Sequence, residues 1–288
     1  KMSQAIRSIS TEIVESTPQM KARVSSNIAA IAFFVSFLAQ AEEVRLYSER
    51  HYDADKEVFS EFTDETGIEV KVVKAGANEL IARLKSEKNS PQADLYITSD
   101  AASLTKASKA GLLAPLKSEL INAAVPQALR GKEDTWAAFT MRGRILVYAK
   151  DRVKGQLPKS YQDLASPEYR GNLLIRSSTS KYNRSLLASI IAIQGKSKAI
   201  QWATGIKNNF ARPPQGNDRD QVRAVAKGIA DYAIVNTYYL GLLKNGESQE
   251  DRDAHAAVGV ILPTSGDRGT HVNISGGGVI MGAKNSNN

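Results

Sequence analysis

Residues 228–243 read GIADYAIVNTYYLGLL, and their order decides the fold class. Gly228 ends an amphipathic helix over 219–228 whose apolar face holds Val222, Val225 and Ala226. Tyr232 to Val235 then reads as a strand, and Leu240 starts another helix. Helix, strand and helix in so short a stretch form the repeating unit of an α/β sheet.

The same alternation runs outward from this stretch. Val44–Tyr47, Ile68–Val73, Leu95–Thr98, Asn172–Ser177 and Val258–Leu262 read as strands. Between them, Asp53 or Asp55 can cap a helix carrying Val58, Phe59 and Phe62, which Gly67 ends. Asn78 can cap a second helix with Leu80, Ile81 and Leu84, a third runs from Ala101 to Gly111, and another from Asn183 to Ile193. Thr135–Lys150 is a long apolar-rich run holding Arg142 and Arg144, read as one or two strands crossing between lobes. The pattern predicts an α/β fold with mostly parallel sheets. Gly276-Gly277-Gly278 leads into Val279–Gly282 as an irregular tail.

Composition removes whole classes of function. The 288 residues contain no cysteine, so a disulfide scaffold, a zinc ribbon and a thiol nucleophile are excluded. The three histidines, His51, His255 and His271, are too scattered for a paired-histidine metal motif. Lys and Arg exceed Asp and Glu by 38 to 30, a net charge of +8, but the bases form no run with interleaved aromatics. A solvated surface is expected, and no nucleic-acid partner.

Residues 20–41, MKARVSSNIAAIAFFVSFLAQA, have the layout of a secretory signal peptide. Lys21 and Arg23 form the basic start, Ile28–Leu38 the apolar run, and Ala39-Gln40-Ala41 the cleavage site. An eleven-residue apolar helix reaches only about 16 Å, too short to cross a bilayer. The expectation is an upstream extension plus signal peptide over 1–41, export to a periplasm, and a soluble chain from residue 42.

Chemistry concentrates in four tyrosines. Tyr52 follows the first strand, Tyr182 follows the strand near Ser177, and Tyr238 and Tyr239 follow the strand near Val235. All four fall at carboxyl ends of expected strands, the edge where open α/β sheets bind ligands. A free phenol ionises only near pH 10 or so, but a bound highly charged cation drives it to deprotonate. Hard Fe3+ prefers hard anionic oxygen. Four phenolates around it leave a net charge of minus one, and Arg142 is the candidate counter-charge. Taken singly, each tyrosine is better read as a packing residue with its hydroxyl in water. Only the joint placement points to a metal.

These segments resemble a known family, the periplasmic ferric-iron-binding proteins of bacterial ABC transporters, of the cyanobacterial ferric uptake type. The resemblance is carried by LYSERHYDADKEVFSEF (46–62), ADLYITSDAASL (93–104), FTMRGRILVYAK (139–150), YQDLASPEYRGNLLIRSSTSKYNRSLLASII (161–191), GIADYAIVNTYYLGLL (228–243) and RGTHVNISGGGVI (268–280). It implies a two-lobed, type II Venus-flytrap binding protein with hinge strands. Lobe 1 would hold 42–140 and 264–288, and lobe 2 would hold 141–263. Matching motifs imply that Tyr52, Tyr182, Tyr238 and Tyr239 ligate Fe3+ and that His51 and Arg142 line the site. The resemblance also implies a monomer, an inner-membrane ABC permease as partner and no enzymatic activity. Family members continue past the position of Asn288 with C-terminal helices, so an exposed apolar patch on lobe 1 is expected.

Two other readings remain at this point. A same-fold binding protein for an oxyanion would use Thr98-Ser99 and Ser177-Ser178-Thr179-Ser180; a polyamine or thiamine is a further ligand class. An enzyme on the same scaffold would need a nucleophile–base pair or convergent carboxylates, and the sequence offers neither a cysteine nor a GxSxG motif.

Overall fold

The structure is a computed structural model, and it describes residues 42–50, 52–264, 266 and 268–286. The expected signal peptide and His51 lie outside the described residues. The described chain divides into two compact units. The smaller holds residues 42–44 and 53–71, and the larger holds the rest.

Strand β1 (Glu43–Ser48) begins in the smaller unit and ends in the larger. The smaller unit is built on helix α1 (Ala54–Thr66), which Gly67 ends at φ 75°. That left-handed turn is open to glycine without a Cβ penalty. The sequence predicted an apolar face here, yet α1 buries no residue and Val58 is 59% exposed. Strand β2 (Glu69–Lys74) leaves this unit.

In the larger unit follow α2 (Ala77–Ser86), β3 (Leu95–Thr98), α3 (Ala101–Lys109) and α4 (Glu119–Ala124). Next come the 13-residue strand β4 (Ala137–Ala149), the short β5 (Leu173–Leu174), α5 (Lys181–Gln194) and α6 (Lys196–Asn208). The chain closes with α7 (Asp218–Ala226), β6 (Tyr232–Asn236), α8 (Thr237–Lys244), α9 (Gln249–Ala257), β7 (Val258–Ile261) and β8 (Val272–Val279). Asn78 does not cap α2: Gly76 holds that position, and the Asn78 side chain accepts from Lys106. Helix α7 starts with a reciprocal box, in which Asn217 accepts from Asp220 N–H and Asp220 accepts from Asn217 N–H.

The strand order in this unit is β1-β3-β8-β4-β6-β5, with β7 also on β4. The expectation of mostly parallel sheets fails. Only β1/β3 and β5/β6 are parallel here, whereas β8 runs antiparallel to β3 and β4, and β4 antiparallel to β6 and β7. Strand direction is set by pairing partners far away in sequence, which local patterning does not encode. The tail reading of Gly276-Gly277-Gly278 fails with it, because these residues sit inside β8 between β3 and β4. A Cβ on Gly276 or Gly278 would strike the backbone oxygen of Ala137 or Thr135, so the close approach of strands demands glycine.

Strand β4 is the spine. Residues 137–143 pair with β8, and residues 144–149 pair with β6 and β7. Side chains alternate across a strand with period two. Ile145, Val147 and Ala149 therefore enter one core with Val222, Val225, Val235 and Leu243, while Leu146 enters another with Leu186, Ile190, Trp202 and Ile234. A third core gathers Tyr47, Leu80, Leu84, Tyr96, Leu104, Leu113 and Ile280 around the other end of β4. Burying each Leu or Ile side chain in such a core contributes about 1.5–3 kcal/mol.

Candidate functional site

The tyrosines sit where strands give way to helices. Strand β6 ends at Asn236, and Tyr238 and Tyr239 occupy the first turn of α8. Tyr182 is the second residue of α5, which starts at Lys181, two residues before the expected Asn183. Tyr52 lies four residues beyond the end of β1.

The structure brings all four together. The hydroxyls of Tyr182 and Tyr238 are 3.0 Å apart and share a hydrogen bond. The Tyr52 ring meets the Tyr238 ring edge-on, with centroids 6.3 Å apart, and the Tyr238 and Tyr239 rings lie 4.2 Å apart at 31°. Burial pushes the Tyr182 phenol up to about 12, partly offset by the Tyr238 hydrogen bond. Burial also pushes Tyr238 up, and so does the bond to Tyr182. Without a cation, the pair is a neutral, hydrogen-bonded couple.

Cations surround one ring. The guanidinium carbons of Arg176, Arg142 and Arg144 lie 5.3, 5.6 and 6.0 Å from the Tyr182 centroid, and Lys181 Nζ lies 5.9 Å from it. Arg142 and Arg144 are two apart on β4 and so face the same side. Arg144 donates to Asp218 at 2.6 Å, Asn236 at 3.1 Å and Asn183 at 2.7 Å, with both members of the ion pair buried. Arg142 donates to the backbone oxygen of Ser99 and to Ser275 Oγ at 3.5 Å. This is a positive enclosure, suited to a group that gains negative charge.

A second polar knot lies beside Tyr182. Lys181 Nζ donates to Glu49 Oε1 at 2.5 Å and to Ser99 Oγ at 2.6 Å. Glu49 Oε2 accepts from Thr98 Oγ1, Ser99 N and Ser99 Oγ at 2.8, 3.0 and 2.8 Å. Burial alone would raise the Glu49 carboxyl, but these bonds and the Lys181 charge outweigh it and hold it at about 2.

Sequence reasoning singled out Tyr52, Tyr182, Tyr238, Tyr239 and Arg142, which the fold assembles; His51 lies outside the described residues. It missed Lys181, Glu49, Arg176, Asp218 and His271. Arg144 was legible from its i, i+2 spacing to Arg142, but no local signal marks Glu49 as the partner of Lys181. Among the described residues, no group of three or more His, Cys, Asp or Glu side chains could hold a metal ion. Phenol oxygen is the donor type gathered here.

Residues 90–267 match the family described as bacterial extracellular solute-binding proteins. The chain is 42% identical over 246 residues to "Iron uptake protein A1" of Synechocystis sp., covering 85% of this chain and 68% of that one. Among solved structures, it resembles the Trichodesmium IdiA (FutA) protein in complex with iron and citrate, with 44% identity and TM-score 0.78, covering 85% of this chain and 78% of that one. It also resembles the ferric binding protein from Campylobacter jejuni, with 43% identity and TM-score 0.77 over the same shares. The α/β chain with its long crossing strand and tyrosine-lined strand ends belongs to the bacterial extracellular solute-binding protein family and has the type II periplasmic-binding-protein fold.

Proposed function

We propose that this chain is a periplasmic carrier that binds Fe3+ through the phenolates of Tyr52, Tyr182, Tyr238 and Tyr239 and hands it to an ABC permease. The observation that carries the reading is the Tyr182–Tyr238 hydroxyl pair, 3.0 Å apart, amid the cations around the Tyr182 ring. Similarity to iron uptake and ferric-binding proteins supports the same cargo.

The Tyr182 and Tyr238 phenols, raised by burial, do not ionise alone near neutral pH, so this pair stays uncharged until a strong Lewis acid arrives. Fe3+ then takes the place of the phenolic protons. The resulting net negative charge falls beside Arg142, whose own hydrogen bonds go to uncharged oxygens. His51 would line the same site.

In this reading residues 42–140 with 264–288 form lobe 1, and 141–263 form lobe 2. The separate cores at the two ends of β4 support that division, and β4 and β8 act as hinge strands. The family is one of solute-binding proteins rather than enzymes. Export would follow from the signal peptide over 20–41, and the carrier would act as a monomer. The oxyanion reading loses two of its donors, because Thr98 and Ser99 already give their hydroxyls to Glu49.

The test is a visible spectrum of the protein titrated with ferric citrate, beside Tyr239→Phe. A charge-transfer band that saturates near one iron per chain and shifts or fades in the variant is expected. A folded protein that stays colourless would overturn the assignment.

A further inference from the structure

We propose that the iron-free protein holds one small monovalent anion, of halide size, in the cavity beside Tyr182. The cavity measures about 10 Å3 and is lined by Arg142, Arg144, Tyr182, Asn236, His271 and Asn273. That is room for a single particle about the size of a water molecule.

Three of the lining side chains are more than nine-tenths buried: Arg142, Arg144 and Asn236 are 6%, 2% and 3% exposed. Each carries a buried nitrogen, Arg142 Nε, Arg144 Nε and Asn236 Nδ2, without a hydrogen-bond partner among the described residues. Buried N–H groups rarely go unsatisfied, because each costs about 1–3 kcal/mol.

The acceptors around the cavity are already engaged. Asn236 Oδ1 accepts from Arg144, and Asn273 Oδ1 accepts from the N–H groups of Ala101 and Ile274. The Tyr182 hydroxyl is bonded to Tyr238, and His271 Nε2 shares a hydrogen bond with Ser185 Oγ. The surplus is therefore one of donors. A water must give two protons as well as accept them, whereas an anion only accepts.

Charge points the same way. Arg144 is balanced by Asp218. Arg142, equally enclosed, bonds only to neutral oxygens and has no ion-pair partner among the described residues. A buried guanidinium without a counter-charge is costly. His271, which burial and then the charges of Arg144 and Arg142 hold down to about 4, is neutral near pH 7 and adds no charge of its own.

The anion site stands on these contacts alone; its link to loading rests on the iron reading above. Four phenolates on Fe3+ would supply Arg142 with the missing negative charge, so metal entry and anion departure are coupled. A halide at ten times its dissociation constant would then lower apparent iron affinity about tenfold.

The experiment is thermal unfolding of the iron-free, full-length protein in sodium bromide or chloride, against sodium methanesulfonate at equal ionic strength. Methanesulfonate is too large for the cavity, while general screening is the same. A saturable rise in Tm with halide alone is expected, together with a bromide anomalous peak in the cavity. Asn236→Asp, which places a carboxylate there, should abolish both. Equal Tm in the two salts with no bromide peak would overturn the proposal and leave only a water. Because this titration uses no iron, it reads the anion site even if the iron assignment fails. Halide that binds but does not weaken ferric citrate uptake would overturn the coupling alone.

Discussion

The ammonium of Lys181 lies 2.5 Å from the carboxylate of Glu49, a residue 132 positions earlier in the chain. Glu49 follows β1 and Lys181 opens α5, so in the two-lobed reading this ion pair spans the lobes beside Tyr52 and Tyr182. Partial burial, with the side chains 27% and 15% exposed, places it between a surface pair and a core pair. Lys181→Met should let iron escape to excess chelator roughly five- to thirtyfold faster, equivalent to about 1–2 kcal/mol. Stopped-flow absorbance of the loaded protein checks this; an unchanged rate would deny the pair a role in closure.

The same carboxylate gives a pH signature. Its folded-state value of about 2 lies below the ordinary 4.5. Its contribution to stability is present above pH 4.5 and is lost as pH falls through about 2. Glu49→Gln should be less stable at neutral pH and show a flatter acid-unfolding profile across that window, measured by urea melts at fixed pH.

Iron loading should release protons. Tyr182 is raised to about 12 and Tyr238 is also raised, so both are protonated near neutral pH and must lose their protons to ligate. Apparent affinity therefore rises with pH and falls in acid. Tyr238→Phe should release one proton fewer per iron bound, read in a weakly buffered indicator titration against the parent protein. Equal release would remove Tyr238 from the ligand set.

Asp218 is fully buried against Arg144 at 2.6 Å. Asp218→Asn leaves that guanidinium uncompensated and should cost about 3–5 kcal/mol, seen as a large fall in Tm by calorimetry. A loss under 1 kcal/mol or so would mean that Arg144 finds another counter-charge.

Glycine is required at one position and optional at another. A Cβ on Gly278 would land on Thr135 O and 3.2 Å from Leu113 Cδ1, whereas nothing lies within 4 Å of a Cβ on Gly241 in α8. Gly278→Ala should destabilise by about 1–3 kcal/mol. Gly241→Ala should be neutral or add about 0.5–1 kcal/mol. Denaturant midpoints of the two variants decide between local propensity and strand contact.

Much of the architecture was legible from local chemistry. Leu95–Thr98 is the strand that its residues predicted, and Tyr238-Tyr239 stands at the carboxyl end of a strand as read. Strand β8 was not legible, because three glycines carry neither β-propensity nor an apolar period. Helix α6 was missed as well, although Trp202 and Ile206 anchor it in the core. Its buried Ala199, Trp202 and Ile206 fall at i, i+3 and i+7, a helical spacing that the sequence does carry.

From the sequence alone came the α/β alternation, the exclusion of thiol and paired-histidine chemistry, and the four tyrosines with Arg142. Each depends on residue type and short-range spacing, which the chain carries locally. The tertiary structure decided the antiparallel course of β4 and β8, the pairing of Lys181 with Glu49, and the donor-lined cavity at Arg142. It also decided that the Tyr182 and Tyr238 phenols stay neutral, since burial and long-range contact raise them. Desolvation and pairing between distant residues arise only when the chain closes on itself, and no window of sequence contains them.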